Sequence, residues 1–244
     1  MIQLNNVTKR YANFLAVNGL SLSVDKGEVF GFIGPNGAGK TTTIKMMGGV
    51  LEPTSGTVTI AGINMQEQPE VAKRKIGFIP DRPYLYEKLT GMEFLKFTAD
   101  LYGVGQNGFR KKAAKHLDMF SLTDWSDELI ESYSHGMKQR LIMAASLLHD
   151  PEVIIVDEPM VGLDPAAIIM VKDLLKQLAQ KGATVFMSTH TLKVAEDTCD
   201  RIGIINKGQL IASGTTSDLQ REANVTNADL EQLFLNLTNN TSKA

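Results

Sequence analysis

A single cysteine, Cys199, is all the thiol chemistry that this 244-residue chain carries. An internal disulfide is excluded, and a reducing compartment fits. An excess of charge of one sign is missing too. Twenty-five basic residues against 27 acidic ones leave a formal net charge of −2, so the total implies no broad basic face for nucleic acid. No apolar run approaches the roughly 18 residues needed to span a bilayer. The richest region, Leu141 to Met170, is broken by His149, Asp150, Asp157 and Glu158. The N-terminal run MIQLNNVTKRY lacks the charged-then-apolar order of a secretory signal. Internal repeats and low-complexity segments are also absent. These absences predict a cytoplasmic chain that does any membrane work through a partner.

What is present is enough apolar material for a sizeable core, 43% of the residues. Short alternating runs at Ile2–Val7, Leu20–Val24 and Thr57–Ile60 predict strands, with turns at Lys26-Gly27 and Pro53–Gly56. Val29–Ile33 is continuously apolar and closes on Gly34, as in a strand buried on both faces. A helix is expected from near Gly39 through Met47. Between Glu87 and His149 the period becomes helical, with candidates at Leu89–Leu101, Arg110–Phe120 and Gly136–Leu148. Strands then return at Val153–Val156, Thr184–Met187, Ile202–Ile205 and Leu210–Ala212. Helices are expected at Pro165–Ala179, Thr191–Thr198, Asp218–Ala223 and Asn227–Leu237, and the polar tail Thr238–Ala244 is expected to fray. The expected class is α/β with a mostly helical insertion.

Three strand ends carry chemistry. The run Gly34-Pro35-Asn36-Gly37-Ala38-Gly39-Lys40-Thr41 fits G-x-x-x-x-G-K-[ST] without a mismatch, after a buried strand and before a helix. Its glycines let backbone N–H groups wrap a phosphate, and the helix behind adds its positive end. Lys40 supplies a point charge and Thr41 a hydroxyl for Mg²⁺. VIIVDEP, Val153–Pro159, ends a buried strand in two acids. Asp157 is placed to hold Mg²⁺, and Glu158 to take a proton from an attacking water. MSTH repeats the arrangement and offers His190. A lone histidine is more often structural, but beside the other two strand ends it is credible at the phosphate.

Together these residues resemble the ATP-binding-cassette (ABC) ATPase family, over nearly the whole chain up to about Thr215. Gly34–Thr42 looks like Walker A, Val153–Glu158 like Walker B with its catalytic glutamate, and Val161-Gly162-Leu163-Asp164 like the D-loop. His190 looks like the switch histidine. Tyr11 falls where the family places an aromatic on adenine. The resemblance gives SYSHGMKQR, Ser132–Arg140, a place as the signature LSGGQ, with Ser134 and Gly136 matching, His135 where glycine is usual and Met137 for glutamine. It implies that this turn binds the γ-phosphate of ATP on a second subunit. A plain reading as a helix capped by Ser134 is compatible, because capping and anion binding use the same N–H groups. Where the family has a glutamine after the strand Ile76–Ile79, this chain has Asp81, a candidate metal ligand or a partner for Arg82 or another base.

The resemblance implies a P-loop NTPase core with an antiparallel β subdomain (1–86 and 150–215), a helical signature subdomain (87–149) and a C-terminal helical tail (216–244). It implies ATP and Mg²⁺, hydrolysis to ADP and phosphate, and a second copy or a homologous ATPase as partner. Among transporters, IPDRPYLYEKLTGMEFL and VGLDP resemble exporter ATPases of the ABC-2 type. They imply a multi-span permease docked on Arg82–Leu89, a place at the inner face of the cell membrane, and no nucleic acid. The alternative is a soluble ABC ATPase, such as an iron–sulfur assembly or ribosome-associated factor. About 100 residues from Gly34 to Ser134 leave no room for the long coiled coils of chromosome-type members. The glutamate at 158 argues against a purely docking subunit.

Overall fold

The computed structural model describes residues 1–82, 84–222 and 230–240. The described residues form two sheets, nine α-helices and two short 3-10 helices at Thr123–Trp125 and Ile130–Ser132. The first sheet is antiparallel. β1 (Ile2–Tyr11) pairs with β2 (Phe14–Val24) and with β4 (Ser55–Ile60), and β4 pairs with β5 (Ile63–Asn64). β1 and β2 run further than the apolar alternation predicts, because their polar ends meet in a hairpin around Ala12 and Asn13 that pairs Tyr11 with Phe14. Register shifts after Leu4 accompany left-handed Asn6. Such bulges break the strict alternation on which a sequence reading of strands rests.

The second sheet has the order β10-β9-β3-β8-β7-β6. It comprises β3 (Val29–Ile33), β6 (Ile76–Ile79), β7 (Val153–Asp157), β8 (Thr184–Thr189), β9 (Arg201–Asn206) and β10 (Gln209–Gly214). All pairs are parallel except β10 with β9. Every residue of β3, β7 and β8 is buried, which explains the apolar runs Val29–Ile33, Val153–Val156 and Val185–Met187 within them. The carboxyl ends of the parallel strands therefore share one edge, where ligands of open α/β sheets bind.

The helices are α1 (Lys40–Met47), α2 (Pro69–Lys73), α3 (Gly91–Leu101), α4 (Gln106–Met119), α5 (His135–Ser146), α6 (Pro165–Gln180), α7 (Leu192–Thr198), α8 (Thr216–Glu222) and α9 (Leu230–Asn240). α3 starts two residues later than expected because Thr90 caps it. The Thr90 hydroxyl accepts from the Glu93 N–H at 3.2 Å, and the Glu93 carboxylate accepts from the Thr90 N–H at 2.8 Å. α4 starts four residues earlier than Arg110, and the short α2 has no apolar period to announce it. Ala223 and Asn227–Asp229, expected in helices, lie outside the described residues. The expected fraying at Thr238 gives way to helix through Asn240, with the Thr238 hydroxyl donating to the Phe234 carbonyl at 2.7 Å. No helix among the described residues is long and apolar enough to cross a membrane.

Three apolar clusters hold these parts together. One joins the central helices to the parallel sheet through Phe94, Leu95, Phe120, Leu141, Val156 and Met187. A second lies between the sheets, where Phe186 packs on Phe30 and Phe32 at 5.7 and 5.2 Å between ring centres. The third seats Leu230 and Leu233 of α9 on Ile33, Ala195 and Ile204. Each fully buried large apolar side chain contributes about 1.5–3 kcal/mol relative to exposure.

Candidate active site

β3 ends at the ligand edge and the chain turns through Gly34–Gly39 into α1. Two glycines are forced by close approach. A Cβ on Gly34 would sit 2.3 Å from the Ile205 carbonyl oxygen, and one on Gly39, at φ +109°, would sit 2.6 Å from that of Ala16. The Lys40 ammonium folds back over the loop and donates to the carbonyls of Gly34 at 2.7 Å and Pro35 at 3.2 Å. Burial holds Lys40 below the usual lysine range, while Glu158 and Asp157 pull it back up.

A cleft of about 400 Å³ opens beside this loop. The run from Asn36 to Thr42 forms one wall, and Asp81, Asp157, Glu158 and His190 face it. Asp157 is 4% exposed and accepts a short hydrogen bond from the Ser188 hydroxyl of the neighbouring strand. Glu158 is left-handed, at φ +50°, and its N–H donates to the Ser188 carbonyl at 3.1 Å. This reversal swings its carboxylate away from the strand line and into the cleft. One carboxylate oxygen lies 2.8 Å from His190 Nδ1, and the other accepts from the Thr189 hydroxyl at 3.3 Å. The walls thus combine the backbone of a glycine-rich turn at a helix N-terminus, an amine, a hydroxyl and a carboxylate–imidazole pair. That set can hold a polyphosphate and move a proton from water.

Most of the residues singled out above meet here: Asn36, Gly37, Ala38, Gly39, Lys40, Thr41, Thr42, Asp81, Asp157, Glu158 and His190 all line the one cleft. Gly34 and Pro35 do not line it; their carbonyls hold Lys40. Tyr11 is not a lining residue either. Its ring lies under the Lys9 ammonium at 5.4 Å, and Phe14, its partner across the hairpin and 61% exposed, stands at the mouth with Ala16 and Val161. The reading of the sequence missed Phe14. Its signal was an aromatic three residues beyond Tyr11, brought level with it only by the hairpin.

The turn at Ser134 lies elsewhere. Ser134 caps α5, its hydroxyl accepting from the Met137 N–H at 3.2 Å, and Ser134 and His135 are exposed. Ser134, His135 and Gly136 do not line the cleft. They sit against the turn Val161–Asp164 instead. A Cβ on Gly136 would lie 3.0 Å from the Gly162 carbonyl oxygen, and one on Gly162 would lie 2.3 Å from His135 Cδ2. Asp164 caps α6, accepting from the Ala167 N–H at 2.8 Å.

The family model for ABC transporters matches residues 17–161. The linearmycin resistance ATP-binding protein LnrL of Bacillus subtilis is 42% identical over 90% of this chain and 70% of its own length. Among solved structures, an ATP-binding subunit of an ABC transporter superposes with a TM-score of 0.93 at 34% identity, covering 98% of this chain and 99% of that one. The dimeric ATP-binding cassette MJ0796, bound to ADP and Pi in a post-hydrolysis state, superposes with a TM-score of 0.81 at 29% identity, over 88% and 98%. Such curated relatives are longer than this chain, which spans 42% to 73% of their lengths. With its phosphate loop, acidic strand end and histidine gathered on one cleft, the chain belongs to the ABC transporter family, as one of its ATP-binding, ATP-hydrolysing subunits.

Proposed function

We propose that this chain powers an exporter by closing on a second ATPase copy around ATP and hydrolysing it at the cleft described above. The carrying observation is the split between the two halves of the phosphate chemistry. Lys40, Glu158 and His190 share one cleft, whereas Ser134 and Gly136 do not line it and Ser134 is exposed. An exposed helix N-terminus with a serine and a glycine suits a γ-phosphate delivered by another copy. In the cleft, a water attacks the γ-phosphorus, Glu158 accepts its proton, and the bond from that phosphorus to the bridging oxygen breaks to leave ADP and phosphate. His190 fixes the Glu158 carboxylate, and Lys40 leaves its carbonyls to neutralise the phosphates. ADP lacks the phosphate that bridges the copies, so they separate.

The oxygen-only donor set of Thr41 and Asp157 fits Mg²⁺, which takes one or two protein ligands and completes its shell with phosphate and water. The Ser188 bond occupies one Asp157 oxygen and leaves the other for the ion. Bound there, Mg²⁺ would spread the negative charge of the phosphates. Asp81, on the same cleft wall, is a further candidate ligand.

Docking on a membrane permease is supported by the segment after β6. Tyr84 is 86% exposed, Tyr86 packs edge-on against Phe97 at 5.3 Å, and Arg82, Tyr84 and Ile142 line an apolar groove with Val50 and Phe78. Such a partner would hold the chain at the inner face of the membrane.

Two experiments test this reading. Glu158→Gln should stop hydrolysis and trap a Mg-ATP dimer in gel filtration, and adding Ser134→Arg or Gly136→Asp should return it to monomer. Dimers that survive the second substitution would refute the signature role. A tagged pull-down from detergent-solubilised membranes should recover a multi-span protein with the wild type and lose it with Tyr84→Glu. Recovery of soluble partners alone would favour the soluble-ATPase alternative.

A further inference from the structure

A second cavity, of about 410 Å³, lies at the opposite edge of the parallel sheet. It shares no lining residue with the nucleotide cleft. Glu152 and Ala183 mark it as the amino-terminal end of β7 and β8, whereas the nucleotide cleft takes their carboxyl ends. Three helices terminate on it: α4 at Met119, α5 at Leu147 and α6 at Lys181.

Its chemistry is two-sided. Leu147, Leu174, Leu178 and Met119 give an apolar floor. Its charged residues are Lys26, Lys115 and Lys181 against Asp150 and Glu152. Both acids are already paired outside the lining, Asp150 with Lys112 at 2.5 Å and Glu152 with Lys75 at 2.6 Å. The three lysines make no ion pair among the described residues. Three helix C-termini, at roughly half a negative charge each, offset at most about half of the three positive charges. His116 also lines the cavity. It is 7% exposed, and its Nδ1 is buried without a hydrogen-bond partner.

We propose that this cavity is a binding site for an organic anion, a carboxylate or phosphate monoester carried on an apolar body. The lysines take the anionic head and the leucine floor takes the body. The location gives the ligand leverage. α5 runs about 18 Å and α6 about 24 Å from this cavity to the turns at Ser134 and Asp164. A molecule bound here would touch the far ends of the two helices that carry those turns. The inference does not depend on which partner the chain serves.

The test titrates the full-length protein with decanoate and with decyl phosphate, against decan-1-ol and decylammonium as controls. Binding is followed by calorimetry and by the imidazole resonances of His116 in a carbon–proton correlation spectrum. Both anions should bind saturably and move His116, and the tighter of the two names the head group. Decan-1-ol should bind at least about tenfold more weakly, a difference of about 1.4 kcal/mol. Lys115→Glu with Lys181→Glu should weaken the anions by a similar factor, with ATP binding as the check that the variant is folded. Equal binding of decylammonium, or saturable anion binding that leaves His116 unmoved, would overturn the proposal, as would the absence of saturable binding. The control ligands decide on wild-type protein alone if the double variant does not fold.

Discussion

Lys40 is the residue on which loop geometry and charge pull in different directions. It is buried against two carbonyls of its own loop, and that burial holds its pKa down. The unfolded chain therefore binds the extra proton between the lowered folded pKa and the ordinary lysine value. In that window stability rises with pH. Lys40→Met should lose hydrolysis by about a hundredfold or more, yet melt no lower than wild type at pH 7. The gap in melting temperature should narrow as the wild type approaches pH 10. Thermal melts across pH 7–10 beside a phosphate-release assay read both effects. A variant that melts far below wild type at neutral pH would mean that the two carbonyl bonds outweigh the desolvation.

At the scale of elements, two helix starts with the same cap separate structure from function. Thr90 caps α3 and Ser134 caps α5, each accepting from an N–H three residues on. Thr90→Ala and Ser134→Ala should each cost about 1 kcal/mol in urea unfolding. Only Ser134→Ala should also weaken the ATP-bound dimer of the Glu158→Gln background. Equal dimerisation in both would reduce Ser134 to a cap. The elements around the cleft were legible in sequence where burial is complete: β3, β7 and β8 each hold an apolar run that leads into the chemistry. Elements with one wet face were read less well. The hairpin of β1 and β2 extends on polar residues, α4 opens on Gln106-Asn107-Gly108, and α2 is too short for a period to register. The same cause hid Phe14, which reaches the cleft mouth only through the hairpin register. The contact of His135 with Gly162 joins residues 27 positions apart on different elements, which no local pattern encodes.

For the whole molecule, two histidines on the seam between the helices and the parallel sheet should contribute to its sensitivity to acid. Burial lowers the pKa of His116 and of His149, and His149 also stacks on Tyr102 at 3.8 Å and bonds the Ile76 carbonyl at 3.0 Å. Below the ordinary histidine value the unfolded chain takes up protons that the folded chain refuses. Their contribution is intact above about pH 6.5 and is lost as pH falls toward the lowered folded values. Melts between pH 7.5 and 5.5 should show that loss, and His116→Leu with His149→Phe should flatten it. An unchanged slope would place the acid sensitivity elsewhere. Stability and catalysis part company most sharply at Glu158. A glutamate held at φ +50° carries backbone strain of about 1–2 kcal/mol, which glycine would not. A library selected for heat resistance alone would therefore drift towards glycine at position 158, and its hardiest members would be the ones that no longer turn over ATP.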